Sequence, residues 1–320
     1  MTDSLPRMRM TTEVPDGILT PDRVESPIGT LSFRDGVPDE KTARMVYDNL
    51  DLQRAVQAYL ASIQIASMSA MRRGLLGFGP ANQTAVLFET LMDSRTLFLT
   101  ANTSSVYMMA WLDASEGPVV IETPPNVLGI VDDMWFRYVT DFGNAGPDAG
   151  KGGKYLILPP GYDGDVPDGY HLVRSATYGN WVIWRGFLVH GDPSPAVEET
   201  KRLFRMYPLS QAASPAAMNF INVSGADFST IHAADERFFD EVNEVIQTEP
   251  PDGQSPEILG QLAAIGMRKG QPFEPDARMS GILAQAAAIA NATARTLAAR
   301  PREDAFNLYP GESHWTTPFV

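Results

Sequence analysis

Apolar residues Val46, Leu50, Ala55, Tyr59, Ile63 and Met68 recur near helical spacing across residues 42–71, which predicts a long amphipathic helix. Asp39 and Glu40 follow Gly36-Val37-Pro38 and suit the positive end of its dipole, while Gly74 and Gly77 end it. A second helix is predicted over Pro80–Leu91. The first ~35 residues are rich in Pro, Gly and Asp without a period, and read as an extended arm. At Arg95 the texture changes. From there to Pro208, short runs of β-branched and aromatic residues are cut by Gly, Pro and Asp. They predict strands at Thr96–Thr100, Ser105–Leu112, Pro118–Thr123, Lys154–Leu158, Tyr170–Ala176 and Asn180–His190. Helical patterning returns after Pro195, most clearly in Phe228–Ile246 and in the Ala-rich Ala277–Ala299. The expected class is α+β: an arm and helical segment over 1–95, an antiparallel β-sandwich or jelly-roll-like domain over 96–209, and a helical segment over 210–320.

Charge narrows the function classes. The chain carries 25 Lys and Arg against 39 Asp and Glu, a net charge of −14. A field of that sign repels phosphate backbones and anionic lipid, so neither nucleic acid nor a membrane surface is an expected partner. There are no cysteines, which removes disulfides, thiolate metal sites and cysteine nucleophiles. No apolar run is long enough to span a bilayer, and no signal peptide is visible, so the expected location is cytoplasmic.

Two familiar patterns lead nowhere. Asp141-Phe142-Gly143 spells the magnesium motif of kinases, but no partner motif accompanies it. Gly146–Gly153 resembles a phosphate loop, yet it leads into an apparent strand where a phosphate loop would open a helix. His232 and Glu236 would share a helical face and could ligate a metal. The plainer reading is a solvated acidic face opposite Ile231, Phe238, Phe239 and Val242, because no second histidine lies nearby. No metal or other cofactor is expected; at most a hard cation could sit on Asp132, Asp133 or Asp141.

The run Asn180–His190 is more informative. Alternation sets Trp181, Ile183, Arg185, Phe187 and Val189 on one face. An arginine within an apolar face needs a partner if that face is buried. Either Arg185 closes an internal ion pair, or it anchors a substrate carboxylate. Ser105–Asp113 likewise groups Tyr107, Met109, Trp111 and Asp113, the mixture of aromatic and polar groups found both in cores and in small-molecule pockets.

The segments Leu99–Tyr107, Ala110-Trp111-Leu112-Asp113 and Gly117–Val120 resemble the hallmark of the family called domain of unknown function 1254. Asp132-Asp133-Met134-Trp135-Phe136-Arg137, Gly146–Tyr155, Pro159–Tyr162, Arg185-Gly186, Tyr207-Pro208-Leu209, Ser224-Gly225 and the stretch from Ala264-Ile265-Gly266 through Phe273–Asp276 agree. One departure stands out: Ser104-Ser105 occupies positions where such proteins carry Asp-Thr. The resemblance implies a helical part, a β-sandwich and a continuation into a second module, domain of unknown function 1214. The Pro- and aromatic-rich tail containing Tyr309, Trp315 and Phe319 is then expected to pack on that module or on another copy of the chain.

The residues support two functional expectations. One is an enzyme of hydrolase or lyase type acting on a small apolar or aromatic molecule with an acidic group. In it Tyr107 or Asp113 would move a proton, Arg185 would hold the acid, and Asn102, Trp111 and Trp135 would line the substrate site. The other is a non-catalytic module that binds a ligand or supports assembly.

Overall fold

The computed structural model describes residues 15–98, 101–313 and 315–317. Two compact units divide at Gln53/Arg54. In the first, strands β1 (Arg23–Ser26), β2 (Gly29–Arg34) and β3 (Val37–Pro38) form an antiparallel sheet, followed by the start of helix α1 (Glu40–Leu76). The arm expected here is therefore a β-meander over its described part. Its polar, turn-rich sequence hides strands that bury little.

In the second unit the elements run β4 (Thr84–Leu87), β5 (Thr96–Leu97), β6 (Val106–Asp113), β7 (Val119–Thr123), β8 (Val127–Asp133), β9 (Tyr138–Gly143), β10 (Gly153–Leu158), β11 (His171–Arg174) and β12 (Gly179–Gly186). After these come α2 (Ser194–Leu203), β13 (Arg205–Pro208), β14 (Asn219–Asn222), β15 (Phe228–Ser229), α3 (Arg237–Thr248), α4 (Pro256–Ala264) and α5 (Ala277–Ala299). A six-stranded sheet, ordered β14-β4-β6-β12-β8-β9, packs on a four-stranded sheet ordered β11-β10-β7-β13. The architecture is α+β, and neither sheet closes into a barrel. Most pairs are antiparallel, as expected, but β10–β11, β14–β4 and β15–β5 are parallel.

Two helical expectations are corrected. Thr84–Leu87, inside the segment expected to form a second helix, is a wholly buried strand paired with β6; its short apolar run carried no period to decide between the two. The helix expected from Phe228 begins only at Arg237, because Phe228 and Ser229 pair with Thr96 and Leu97. His232 therefore lies in a loop, with its Nδ1 2.7 Å from the Ala233 carbonyl. Among the described residues no three potential metal ligands cluster, and no helix is long and apolar enough to cross a membrane. The tail expectation falls partly outside the described residues, since Phe319 is not among them; Trp315 is 65% exposed.

The sandwich core fixes the rest. Val106, Met108, Ala110 and Leu112 of β6 and Val182 and Trp184 of β12 face Val119 and Ile121 of β7 and Tyr155 and Ile157 of β10. Trp184 stacks on Phe204 with centroids 4.1 Å apart, and Phe142 fills the space between Trp184 and Tyr155. Elsewhere in this unit, Tyr59 of α1 stacks on Phe238 of α3. The Glu249 carboxylate, at the C-terminal cap of α3, accepts the amides of Tyr178 and Gly179 at 2.7 and 3.1 Å and so ties that helix to the start of β12. Burial pushes its pKa up.

Gly129 of β8 is required by this packing, because a Cβ there would come within 2.2 Å of the Phe142 ring. Gly129→Ala is expected to cost about 1–3 kcal/mol of unfolding free energy through overpacking. In a Phe142→Leu background the same change should cost clearly less. Equilibrium denaturation of the four proteins in the cycle measures that coupling.

Candidate functional site

The face of β6–β12–β8 turned away from the sandwich core carries the side chains of interest. Strand register sets them in rows. Tyr107, Arg185 and Leu128 form one, Met109, Ile183 and Ile130 the next, with Asp141 of β9 beside Ile130, and Trp111, Trp181 and Asp132 the third. Over β6 this face is covered, and Tyr107, Met109 and Trp111 are buried; over β12 and β8 it opens, and Ile183, Arg185, Leu128 and Ile130 are only half-buried. The result is a recess of about 450 Å³ with Ile183 and Ile130 at its floor and Phe98, Tyr107, Trp181, Asp141 and Arg185 around it. Phe98 meets both Tyr107 and Trp181 edge-on, at 6.2 and 5.9 Å between centroids, and Phe136 meets Trp181 from elsewhere at 6.1 Å.

The Arg185 guanidinium lies over the Tyr107 ring, 5.8 Å from its centroid. Among the described residues it pairs with no carboxylate, so the internal ion pair considered from sequence does not form there. Tyr107 is held from the other side: its hydroxyl accepts from the Asn102 side-chain amide at 3.2 Å and from the Asn102 backbone amide at 3.4 Å. Asn102 is itself fixed by its Oδ1, which accepts from Ser104 and Ser105. The Ser104-Ser105 pair that departs from the family pattern thus holds Asn102 in place.

Carboxylates occupy the opposite corner. Tyr138 donates to Asp141 Oδ2 at 3.4 Å. Asp133, pointing the other way along β8, is fully engaged: it accepts both Trp135 and Arg137 backbone amides and pairs with the Arg137 guanidinium at 2.9 Å. Asp132 has no such help. It is 8% exposed and accepts no hydrogen bond from any described residue. Burial first, then the charges of Asp133 and Asp141, push its pKa up to about 6.

The remaining residues named from sequence are spread out. Asp113 closes β6 opposite Gly179, six residues from Tyr107 and so about 20 Å along the strand. Its carboxylate caps the following turn by accepting the Ser115 amide. Trp111 packs on the Trp181 side of the same sheet face, buried. Trp135 belongs to a different, smaller cavity of about 180 Å³ against Ile246, Leu259 and Met267, and its indole nitrogen is buried without a partner among the described residues. The structure thus brings Tyr107, Asn102 and Arg185 together and sets Asp113 and Trp135 apart from them. Asp141 joins the site through β9, and Asp132 lies buried next to it on the same sheet face through β8; the hydrophobic pattern revealed neither strand. The signal for Asp141 was present: it alternates with Thr140 and Phe142, one buried face against one open.

Every residue lining the recess falls inside the segment that a family model covers. Residues 81–208 match the family described as Protein of unknown function (DUF1254). No curated protein matches the chain. Among solved structures, the VPA0106 protein from Vibrio parahaemolyticus is similar in fold, with a TM-score of 0.55 at 18% sequence identity over 81% of this chain. The chain spans 62% of the length of that protein's chain. An uncharacterised protein from Burkholderia cenocepacia aligns over 79% of this chain and 58% of its own at 10% identity, but its TM-score of 0.27 carries no argument.

The Asp132 environment gives a signed expectation. A carboxyl titrating near 6 when folded and near 3.8 otherwise binds its proton more tightly in the folded state. The folded state therefore loses stability as pH rises from about 4 through 6. Asp132→Asn removes the buried charge and should raise stability at pH 7.5 by about 1–2 kcal/mol, after allowance for solvent screening, with no difference left below about pH 4. Thermal melts of both proteins across that range check it.

Proposed function

We propose that the recess binds a small apolar or aromatic molecule bearing a carboxylate or similar planar acid, with Arg185 as its anchor. The observation that carries this reading is an arginine on an apolar floor with no carboxylate partner among the described residues, held over an aromatic ring that is itself fixed by Asn102. A half-buried guanidinium keeps donors in a plane that matches a carboxylate, and leaving them unused within a partly desolvated site is unfavourable. The walls supply the rest: Phe98 and Trp181 offer ring faces and edges to a flat ligand, and Ile183 and Ile130 an aliphatic floor.

Binding is the part of the enzyme reading that these residues support. Of the two side chains expected to move a proton, Tyr107 lines the recess and Asp113 stands about 20 Å from it along β6. A hydrolase or lyase step at this site would draw on Tyr107 or Asp141 in place of Asp113. The further module implied by the family resemblance belongs to the same proposal: the exposed side chains of Leu308, Tyr309 and Trp315 offer it apolar surface to cover.

Calorimetric titration with 4-ethylphenylacetate and with its uncharged amide tests the anchor. The acid is expected to bind about 10–100-fold more tightly than the amide, the worth of a charge-assisted bidentate contact. In Arg185→Met that preference should vanish while the variant still melts cooperatively. Retention of the preference in the variant would exclude Arg185 as the anchor.

A further inference from the structure

The recess is charged at both ends, and a ligand that carries only an acid meets one of them. Arg185 pairs across the ladder with Leu128, Ile130 pairs with Asp141, and Asp132 lies two residues beyond Ile130 on the same face. Arg185 and Asp141 are therefore two strands and two residues apart, about 12 Å between their Cα atoms. The guanidinium leans toward Tyr107, on the far side of β12 from Asp141, so the charges do not meet. Between them lies the apolar floor. Among the described residues neither Asp132 nor Asp141 has a cationic partner, whereas the neighbouring Asp133 takes Arg137. A carboxylate as buried as Asp132, without a hydrogen bond, is a costly arrangement unless a donor comes to it from outside.

We infer that the ligand of this recess is a zwitterion: an acid group on Arg185, an apolar or aromatic middle over Ile183 and Ile130, and a protonated amine at Asp141 and Asp132. This rests on the proposed binding of an acid at Arg185 and adds the second end. With the guanidinium turned away from Asp141, the ligand's two charged groups must stand well apart, across at least the width of the apolar floor. That is the span of an aminomethyl-substituted arylacetate or a medium-length ω-amino acid. An α-amino acid, with both charged groups on one carbon, is too short to reach both ends. The arrangement also explains selectivity. A simple carboxylate leaves the two aspartates unanswered, and a simple amine leaves Arg185 so, and a site with unmatched polar groups discriminates by more than a site with unfilled apolar space. The acidic net charge of the chain favours approach of the amine end first.

The test titrates the full chain with 4-(aminomethyl)phenylacetate and its amine-free isostere 4-ethylphenylacetate at pH 7.5. The aminomethyl compound is expected to bind at least about ten-fold more tightly. Asp132→Asn with Asp141→Asn should abolish the advantage of the aminomethyl compound over the isostere, and a cooperative thermal melt shows that the variant is folded. Arg185→Met should weaken both compounds. If both bind wild type equally and both need Arg185, the zwitterion inference is wrong and the anchor reading stands. If the gain from the amine survives the double aspartate change, the amine is recognised elsewhere and the inference is likewise wrong. If neither compound binds wild type, or both bind undiminished in Arg185→Met, the anchor reading fails and this inference with it.

Discussion

The register of β12 between β6 and β8 is the constraint on which the site depends. A strand turns alternate side chains to opposite faces, so a slip of one residue would exchange Trp184 for Arg185 in the sandwich core. The core forbids it. Trp184 stacks on Phe204 and abuts Phe142, and Val182 sits beside it, all buried from water. Burying a side chain of that size contributes on the order of 2–3 kcal/mol, and exposing it while burying a guanidinium would cost more again. The inner face thus decides which residues the outer face can present. Because β6 and β8 pair with β12 without a break over Val106–Asp113 and Val127–Asp133, Tyr107 and Leu128 are set beside Arg185 by the same decision.

The outer face, in turn, balances its charges in a partly dry place. Exposed ion pairs contribute little to stability, and many of this protein's pairs are of that kind, such as Arg237 with Asp235. The recess differs. Arg185 is stabilised by the Tyr107 ring, an interaction of about 0.5–2 kcal/mol, which falls short of a buried ion pair and leaves the guanidinium available. Asp133 and Arg137 do neutralise each other: two guanidinium nitrogens donate to Oδ2 while the Trp135 and Arg137 backbone amides donate to Oδ1. Asp132, one residue earlier and on the opposite face, has no equivalent among the described residues. The structure bears that cost within a fold whose core elsewhere is well packed, the usual arrangement where a strained or unmet group serves a ligand.

Much of the fold was legible in the chain, and the misses have physical causes. β6, β7, β10 and β12 were readable because each holds a run of large apolar residues bounded by turn formers, and β11 because its short Leu172-Val173 core sits between turn signals. β8 and β9 were not, since Gly129, Asp132, Asp133, Asp141 and Gly143 break their texture. Those residues are there for contact reasons, Gly129 under the Phe142 ring, Asp133 on Arg137 and Asp141 at the recess, and strand propensity does not report such contacts. The alternation of β12 revealed that Arg185 stood on an apolar face, but not whether a carboxylate waited opposite. That depends on strand order and register, which set Leu128 of β8 and Tyr107 of β6 directly beside it. Asp141 is hidden inside a motif it only imitates, and Asp113 is attractive because its strand is right; distance along that strand, not face, separates it from Tyr107.

The central claim is that Arg185, which pairs with no carboxylate among the described residues, faces a recess that accepts an acid. A crystal structure of the protein soaked with 4-ethylphenylacetate tests it most directly. The expected result is density for the carboxylate within hydrogen-bonding distance of the Arg185 guanidinium, with the aromatic ring between Phe98 and Trp181 above Ile183. Arg185 paired to a protein carboxylate, with the recess empty or filled by a side chain of the protein itself, would contradict the account.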